Sequence, residues 1–308
     1  MTGMTSALRR LLGFADRWQR RHRFAGQAYG VIKKYGDDNA NLLAVALGWY
    51  GFTTIFPLLL VVVTIFGFIG QESLGSGIVS TLHRFPIVGA EFNPAGSSRL
   101  HGSGLGLFIG LAGLLYGAQG VTQTAQHAMA AVWNVPQRER TGFLPRLGRS
   151  LAGLLIIGGA FMINAFASTY ATGASKSLAV QVLVIAALLV LNVGLYYAAF
   201  VVLTPKVTKT RSLLPGAIAG AIMFTLLITI GTGLVAHQLK NASNTYGTFG
   251  SVIGLVLFLL LLAKLSIYAA ELNPVLERSL YPRALPLGEP TDADRQIQYA
   301  LAHPEQPD

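Results

Sequence analysis

Long apolar segments separated by short polar ones make up most of this chain. Six of them are long enough, at about 1.5 Å of helical rise per residue, to cross a hydrocarbon core of roughly 30 Å. None alternates apolar and polar residues with a period of two, which disfavours a transmembrane β-barrel. The pattern therefore predicts an all-α, polytopic membrane protein with six transmembrane helices. The predicted spans are Leu42–Gly70, Gly104–Val121, Leu151–Tyr170, Leu178–Leu203, Leu213–Ala236 and Phe249–Leu272.

The spans divide the chain into three parts. Residues 1–40 form a basic N-terminal segment, residues 41–273 the membrane domain and residues 274–308 a cytoplasmic tail. Between Ser6 and Tyr35, apolar residues recur at helical spacing with arginines on another face, which predicts an amphipathic helix lying on the cytoplasmic leaflet. The tail has four prolines from Pro286 onward, and we expect it to be partly disordered.

Composition and charge agree with a membrane protein. The chain is 52% hydrophobic and 12% charged, whereas an average soluble domain is about 25% charged. Most of the 23 Lys and Arg residues fall before the first span, after the second and fourth spans, and in the tail. The positive-inside rule then places both termini in the cytoplasm. We interpret the net charge of +10 as this topological signal, in contact with anionic lipid headgroups, and expect no nucleic-acid partner.

Small residues predict where helices approach one another closely. The second span carries five glycines spaced three or four apart, and therefore on one face. They are Gly106, Gly110, Gly113, Gly117 and Gly120. Gly216 and Gly220 repeat the pattern in the fifth span, and Pro57 predicts a kink in the first. The glycine face favours either packing within the chain or self-association into a homo-oligomer.

Polar residues within the spans are the candidate functional groups. They either bond neighbouring helices together or line a polar cavity. The candidates for the cavity are Lys264, Glu271, Asn273, Tyr50, Thr54, Gln119, Gln123, Asn192 and Tyr196.

The two charges of the last span raise separate questions. A charge within a span costs about 2.5–3.5 kcal/mol on insertion scales. Glu271 is predicted near the cytoplasmic interface, and Lys264 roughly 10 Å deeper by helical rise. Helical side chains tilt toward the helix N-terminus, which carries Lys264 away from Glu271 and disfavours a direct pair. Three interpretations of Lys264 stay open. Its side chain extends to the membrane surface (snorkelling), it has a partner inside the bundle, or it contacts a substrate.

Catalytic signatures are missing from the sequence. There is no phosphate-binding GxxxxGK[ST] loop, no HExxH and no GxSxG, and the six histidines lack metal-ligand spacing. Without cysteine, thiol catalysis and disulfides are excluded. We therefore expect no catalytic residues, no metal and no cofactor, and a protein that is not an enzyme.

Four motifs give the chain a family resemblance. They are AVALGWYGFTTIFPLLL (Ala44–Leu60), AMAAVWNV (Ala128–Val135), LLPGA (Leu213–Ala217), and YGTFGS (Tyr246–Ser251) followed by AELN (Ala270–Asn273). In this order and spacing the chain resembles the YihY/BrkB family of bacterial inner-membrane proteins, over about residues 25–280. It departs from the family pattern at Ala269 and Phe258, where glycine and tryptophan are common, and Lys264 matches no family position.

The resemblance implies a multi-pass protein of the bacterial inner membrane. Members are linked to serum resistance and virulence, and some carry the older label ribonuclease BN. Our leading hypothesis is transport, or handling of an unidentified small-molecule or lipid substrate of the cell envelope, through the polar interior. The alternative is a scaffold that self-associates through its glycine faces. A membrane-tethered ribonuclease is disfavoured, because the sequence offers neither a metal cluster nor an acid–base set.

Overall fold

The computed structural model is a bundle of long helices, with no strand in the residues it describes. These are residues 2–69, 104–135, 178–205, 209–228 and 248–302 except 287, with short pieces between 148 and 159. The helices are α1 Thr2–Arg21, α2 Arg23–Asp37, α3 Ala40–Ile69, α4 Gly104–Val132, α5 Leu178–Leu203, α6 214–228 after a 3₁₀ turn at Thr210–Leu213, α7 Thr248–Glu277 and α8 Asp292–Ala302.

Within the described residues, five helices, α3 to α7, are long and apolar enough to cross a bilayer. Large apolar side chains such as Phe108, Leu183 and Val190 are mostly exposed on them, as they would be against lipid. The chain is therefore a multi-pass membrane protein. The predicted third span, Leu151–Tyr170, lies mostly outside the described residues.

Two predicted spans end later in the structure than the apolar pattern indicates. Helix α4 runs on to Val132, past the predicted end at Val121, and α7 continues through Pro274 to Glu277. A residue with positive φ follows shortly after each helix end, Asn134 (φ 52°) after α4 and Ser279 (φ 53°) after α7. In both, the next residue's N–H bonds five residues back, as in a Schellman cap. Hydrophobicity marks the membrane thickness, whereas these caps mark the helix ends.

The glycine face of α4 packs against α3. A Cβ added at Gly117 would lie 2.5 Å from Thr54 Oγ1, and one added at Gly113 would lie 3.0 Å from Pro57 Cγ. The pyrrolidine ring of Pro57 thus sits where α4 has no side chain. Gly110 and Gly120 likewise face Val61 and Tyr50. Gly106 belongs to the first turn of α4. This face is therefore used within the chain.

Replacing Gly117 by alanine should destabilise the protein, because the new methyl group would collide with Thr54 and push α3 and α4 apart. Overpacking of this kind costs about 1–3 kcal/mol. Gly194→Ala is the matched control, since nothing lies within 4 Å of an added Cβ there and alanine favours the helix. Thermal unfolding of both variants in detergent should show a loss for Gly117→Ala only. Equal stabilities would contradict the close packing.

The largest cluster of buried side chains lies where several helix ends meet. It joins the start of α3 (Ala40 and Ala44), the residues that close α4 (Trp133 and Val135) and the end of α5 (Leu203). Leu213 before α6 and a stretch of α7 from Ala263 to Ala270 complete it. We call this the closed end of the bundle, and the candidate site lies beside it.

Helices α1 and α2 and the tail form a layer over the closed end. Helix α2 packs on α7 and α1 on α2, and Gly30 of α2 lies against Leu280 and Val275. The prolines of the tail favoured partial disorder, but over residues 280–302 it contributes buried side chains and helix α8. Ion pairs, described below, hold it in place where apolar residues are few.

Candidate functional site

The side chain of Lys34, near the end of α2, is buried in the layer over the closed end. It is 1% exposed, and its ammonium group has three oxygen neighbours. Nζ donates to the Val132 carbonyl oxygen at 2.8 Å, pairs with Asp38 Oδ2 one turn later, and lies 3.0 Å from Glu271 Oε2 on α7. Two of these contacts are hydrogen bonds, to Val132 and Asp38, whereas the third is an ion pair, since Glu271 Oε2 has no hydrogen-bond partner among the described residues.

Two carboxyl groups share this one lysine. The side chains of Asp38 and Glu271 are 2% and 0% exposed, and the two carboxyls interact with each other as well as with Lys34. Asp38 Oδ1 and both carboxyl oxygens of Glu271 have no hydrogen-bond partner among the described residues. Burial raises the pKa of Asp38 above its ordinary value, although the charge and hydrogen bond of Lys34 act against this. Lys34, Asp38 and Glu271 are referred to below as the ion cluster.

Local structure fixes the ion cluster in place. Lys34 and Asp38 are one helical turn apart, so they lie on the same side of α2. Asn39 follows with a φ of 50°, which turns the chain sharply into α3. Two fully buried alanines, Ala269 and Ala270, precede Glu271 and allow α7 to approach its neighbours closely.

A stacked aromatic pair closes one side of the ion cluster. The rings of Tyr35 and Tyr268 are 4.0 Å apart between centroids, with 15° between their planes. Burial, then the neighbouring Tyr268 and Glu271, raise the pKa of Tyr35 to about 12. Its hydroxyl is buried with no hydrogen-bond partner in the described parts of the chain. Tyr35 thus remains a neutral phenol beside the two carboxyls.

Asn273 joins α7 to the start of α6. Its Oδ1 accepts the backbone N–H of Gly216 at 2.7 Å, where a first-turn N–H has no partner within its own helix. Gly216 has no room for a side chain against Ala269 and Asn273, and an added Cβ at Gly220 would lie 2.7 Å from the Tyr196 ring. This contact brings the LLPGA and AELN motifs together.

The other predicted cavity residues occupy separate places. Tyr196 shares a hydrogen bond of 3.0 Å with Ser266 and so links α5 to α7, and Asn192 is buried one turn earlier. The Thr54 hydroxyl donates to the Tyr50 carbonyl at 2.6 Å within α3. Gln119 and Gln123 are half-buried on α4.

Lys264 stands apart from the ion cluster. It is half-buried on α7 and has no ion pair or hydrogen bond to any residue that the structure describes. Glu271 pairs with Lys34 of α2, and not with Lys264 of its own helix. The interpretation of the two charges in the last span as separate questions therefore holds in the geometry.

A second ionic centre anchors the tail to α2. Asp294 accepts Lys33 Nζ at 2.7 Å and Arg283 Nε at 2.6 Å, as well as the backbone N–H of Ala284 at 2.9 Å. Thr291 adds its backbone N–H at 2.9 Å and its hydroxyl at 2.8 Å, in a capping box at the start of α8.

Hydrogen bonding determines the charge state of Asp294. Burial alone would raise its pKa, but the hydrogen bonds from Lys33, Arg283 and the two backbone groups outweigh it and hold the pKa well below the ordinary value of 3.8. A cavity of about 180 Å³ opens beside it, lined in part by Tyr29, Lys33 and Gln298. None of the predicted cavity residues lines this space.

Sequence reasoning missed Lys34 and Asp38 as members of the site. Both precede the first span, where a lysine is interpreted as part of the positive-inside charge. A signal was present, since the acid and base are four apart at the end of a predicted amphipathic helix. Their partner Glu271, however, lies far away along the sequence, at the C-terminal end of the membrane domain. Among the residues described, no three His, Asp or Glu side chains come together as a metal site.

Comparison with protein families gives a match over most of the chain. Residues 31–293 match the family model described as virulence factor BrkB, which spans the ion cluster, Asn273 and the tail as far as α8. No match was found among curated proteins or solved structures.

Proposed function

Because this chain belongs to the BrkB family of membrane proteins, we propose that it transports or handles a small-molecule or lipid substrate of the bacterial cell envelope at the inner membrane. The ion cluster is the observation that carries the proposal. Buried ion pairs are often less stabilising than apolar residues of the same size. Ionisable groups within or beside membrane spans commonly mark ion and substrate pathways.

The position of the ion cluster suits a gate. Lys34 and Asp38 belong to the layer before the first span, whereas Glu271 belongs to the last span. Opening their contacts would separate α2 from α7 and expose the closed end of the bundle. In this proposal substrate passes between the spans, and the protein changes no covalent bond in it.

The topology that accompanies the proposal has six spans and both termini in the cytoplasm. Helices α4 and α5 both end at the closed end, since Trp133 and Leu203 belong to one buried cluster. The chain between them must therefore leave this end and reach the start of α5. Gly153, in the chain after α4, lies beside the closed end, because a Cβ added there would be 3.3 Å from Leu203. The chain can therefore start its return from this end. A span near Leu151–Tyr170 meets this requirement.

Glu271→Gln should abolish rescue of a deletion strain under envelope stress, such as detergent or antimicrobial-peptide challenge. The amide keeps the size of the side chain but removes its charge, so the contact with Lys34 weakens. Glu277→Gln is the matched control, because Glu277 is an exposed acid on the same helix. Immunoblots of membrane fractions would establish equal amounts. Full rescue by Glu271→Gln at normal levels would contradict the gate.

A further inference from the structure

We propose that the ion cluster is a proton-binding site in which Asp38 and Glu271 hold one proton between them beside Lys34. The occupied site has one protonated carboxyl, one carboxylate and one ammonium group. The site itself is inferred from geometry. That its proton is coupled to movement of a substrate rests on the proposed function.

The first argument is the count of hydrogen-bond donors. Lys34 Nζ donates to Asp38 Oδ2 and to the Val132 carbonyl, and it lies 3.0 Å from Glu271 Oε2 without forming a hydrogen bond to it. Asp38 Oδ1 and both carboxyl oxygens of Glu271 are left without a donor in the part of the chain described. Carboxylates only accept hydrogen bonds, so two buried carboxyls beside one ammonium group lack a donor unless one of them carries a proton. One proton, carried by either carboxyl, supplies a hydrogen-bond donor within the pair of Asp38 and Glu271.

The second argument is the balance of charge. With both acids ionised, Lys34 leaves one negative charge uncompensated among side chains that are at most 2% exposed. Uncompensated buried charge is strongly unfavourable, and carboxyl pairs in proteins commonly avoid it by sharing a proton. Burial raises the pKa of Asp38, in the direction that this arrangement requires.

The contacts described for α2, α3 and the end of α7 do not bring another compensating cation to the ion cluster. Helix α2 presents Tyr35, which is neutral, and Asp37, which pairs with Arg283 at 2.6 Å. Helix α3 contains no ionisable acid, lysine, arginine or histidine. Near the end of α7, Tyr268 stacks on Tyr35, and Arg278 donates to the Trp133 carbonyl at 3.4 Å. The excess negative charge thus remains with the two carboxyls.

Infrared spectroscopy of the full-length protein in lipid nanodiscs tests the site directly. A protonated carboxyl has a carbonyl stretch that ionised carboxylates lack and that shifts in D₂O. At neutral pH we expect this band in the wild type. It should be lost in Glu271→Gln and in Asp38→Asn, because either change leaves one acid balanced by Lys34. Glu277→Gln should keep the band.

A third variant gives a change in the opposite direction. Lys34→Met removes the ammonium group, so both acids should become protonated and the band should grow. Circular dichroism would establish that each variant remains helical, and any one folded variant suffices for the test. Absence of the band in the wild type, or its persistence in both acid variants, would overturn the proposal.

Two further outcomes separate the possible explanations. If the wild type lacks the band but sodium raises its unfolding temperature relative to choline, a metal cation fills the site and the proton proposal is wrong. If the band behaves as expected but Glu271→Gln still rescues the deletion strain, the proton site stands and the proposed gate fails.

Discussion

Lys34→Met should lower the free energy of unfolding by about 3–5 kcal/mol, the range found when one partner of a buried ion pair is removed. The change leaves Asp38 and Glu271 facing each other with no base, and it also removes the donor to the Val132 carbonyl. Unfolding of the purified protein by titration with a denaturing detergent would measure the loss.

Two controls separate this effect from a general effect of losing a lysine. Lys209→Met removes an exposed lysine and should change stability little. The double variant Lys34→Met with Glu271→Gln removes an acid together with its base, so it should recover part of the loss. A single variant as stable as the wild type would show that Lys34 does not balance the acids.

Asp294→Asn should release the tail and cost about 3 kcal/mol, because Arg283, itself 2% exposed, would lose the more buried of its two counterions and keep only the partly exposed Asp37. The amide also presents N–H groups where the carboxylate accepted hydrogen bonds. Limited proteolysis should then cut within residues 280–302, whereas we expect the buried contacts of this segment to protect it in the wild type. Asp292→Asn is the control, since that side chain is fully exposed, and it should leave the digestion pattern unchanged.

The pH dependence of this second effect follows from the lowered pKa of Asp294. A carboxyl whose pKa is lower in the folded than in the unfolded state stabilises the fold above the unfolded value, near 3.8. That contribution disappears as the pH falls through the folded pKa. The difference in unfolding free energy between wild type and Asp294→Asn should therefore be constant between about pH 5 and about pH 8. It should shrink at lower pH, as Asp294 becomes protonated. A difference that vanished near neutral pH would contradict the assignment.

The described spans could be located from the sequence, because long apolar runs depend only on local composition, although α4 and α7 end later than predicted. Helix α5 has the predicted bounds, Leu178–Leu203. The resemblance to the BrkB family is confirmed by the family match. The spacing of the α4 glycines also indicated close packing, although it could not tell α3 from a second copy of the chain.

The partners within the site could not be predicted in the same way. Periodicity indicates that Glu271 lies on a helix near an interface, but it carries no information on which distant segment lies opposite. Lys34 was interpreted as one of many basic residues outside the membrane, because positive-inside charge and a buried counterion look alike in sequence. The buried contacts of residues 280–302 were not predicted for a related reason, since the prolines of the tail obscured a layer held by Asp294 and Arg283.

The ion cluster also constrains the order in which the protein can be completed during synthesis. Lys34 and Asp38 leave the ribosome before the first span, and Glu271 follows only with the last one. Until then the base and its first acid must remain in water, and α2 has no α7 on which to dock. Closing the ion cluster is thus a late assembly step, which a chain truncated before Glu271 cannot reach.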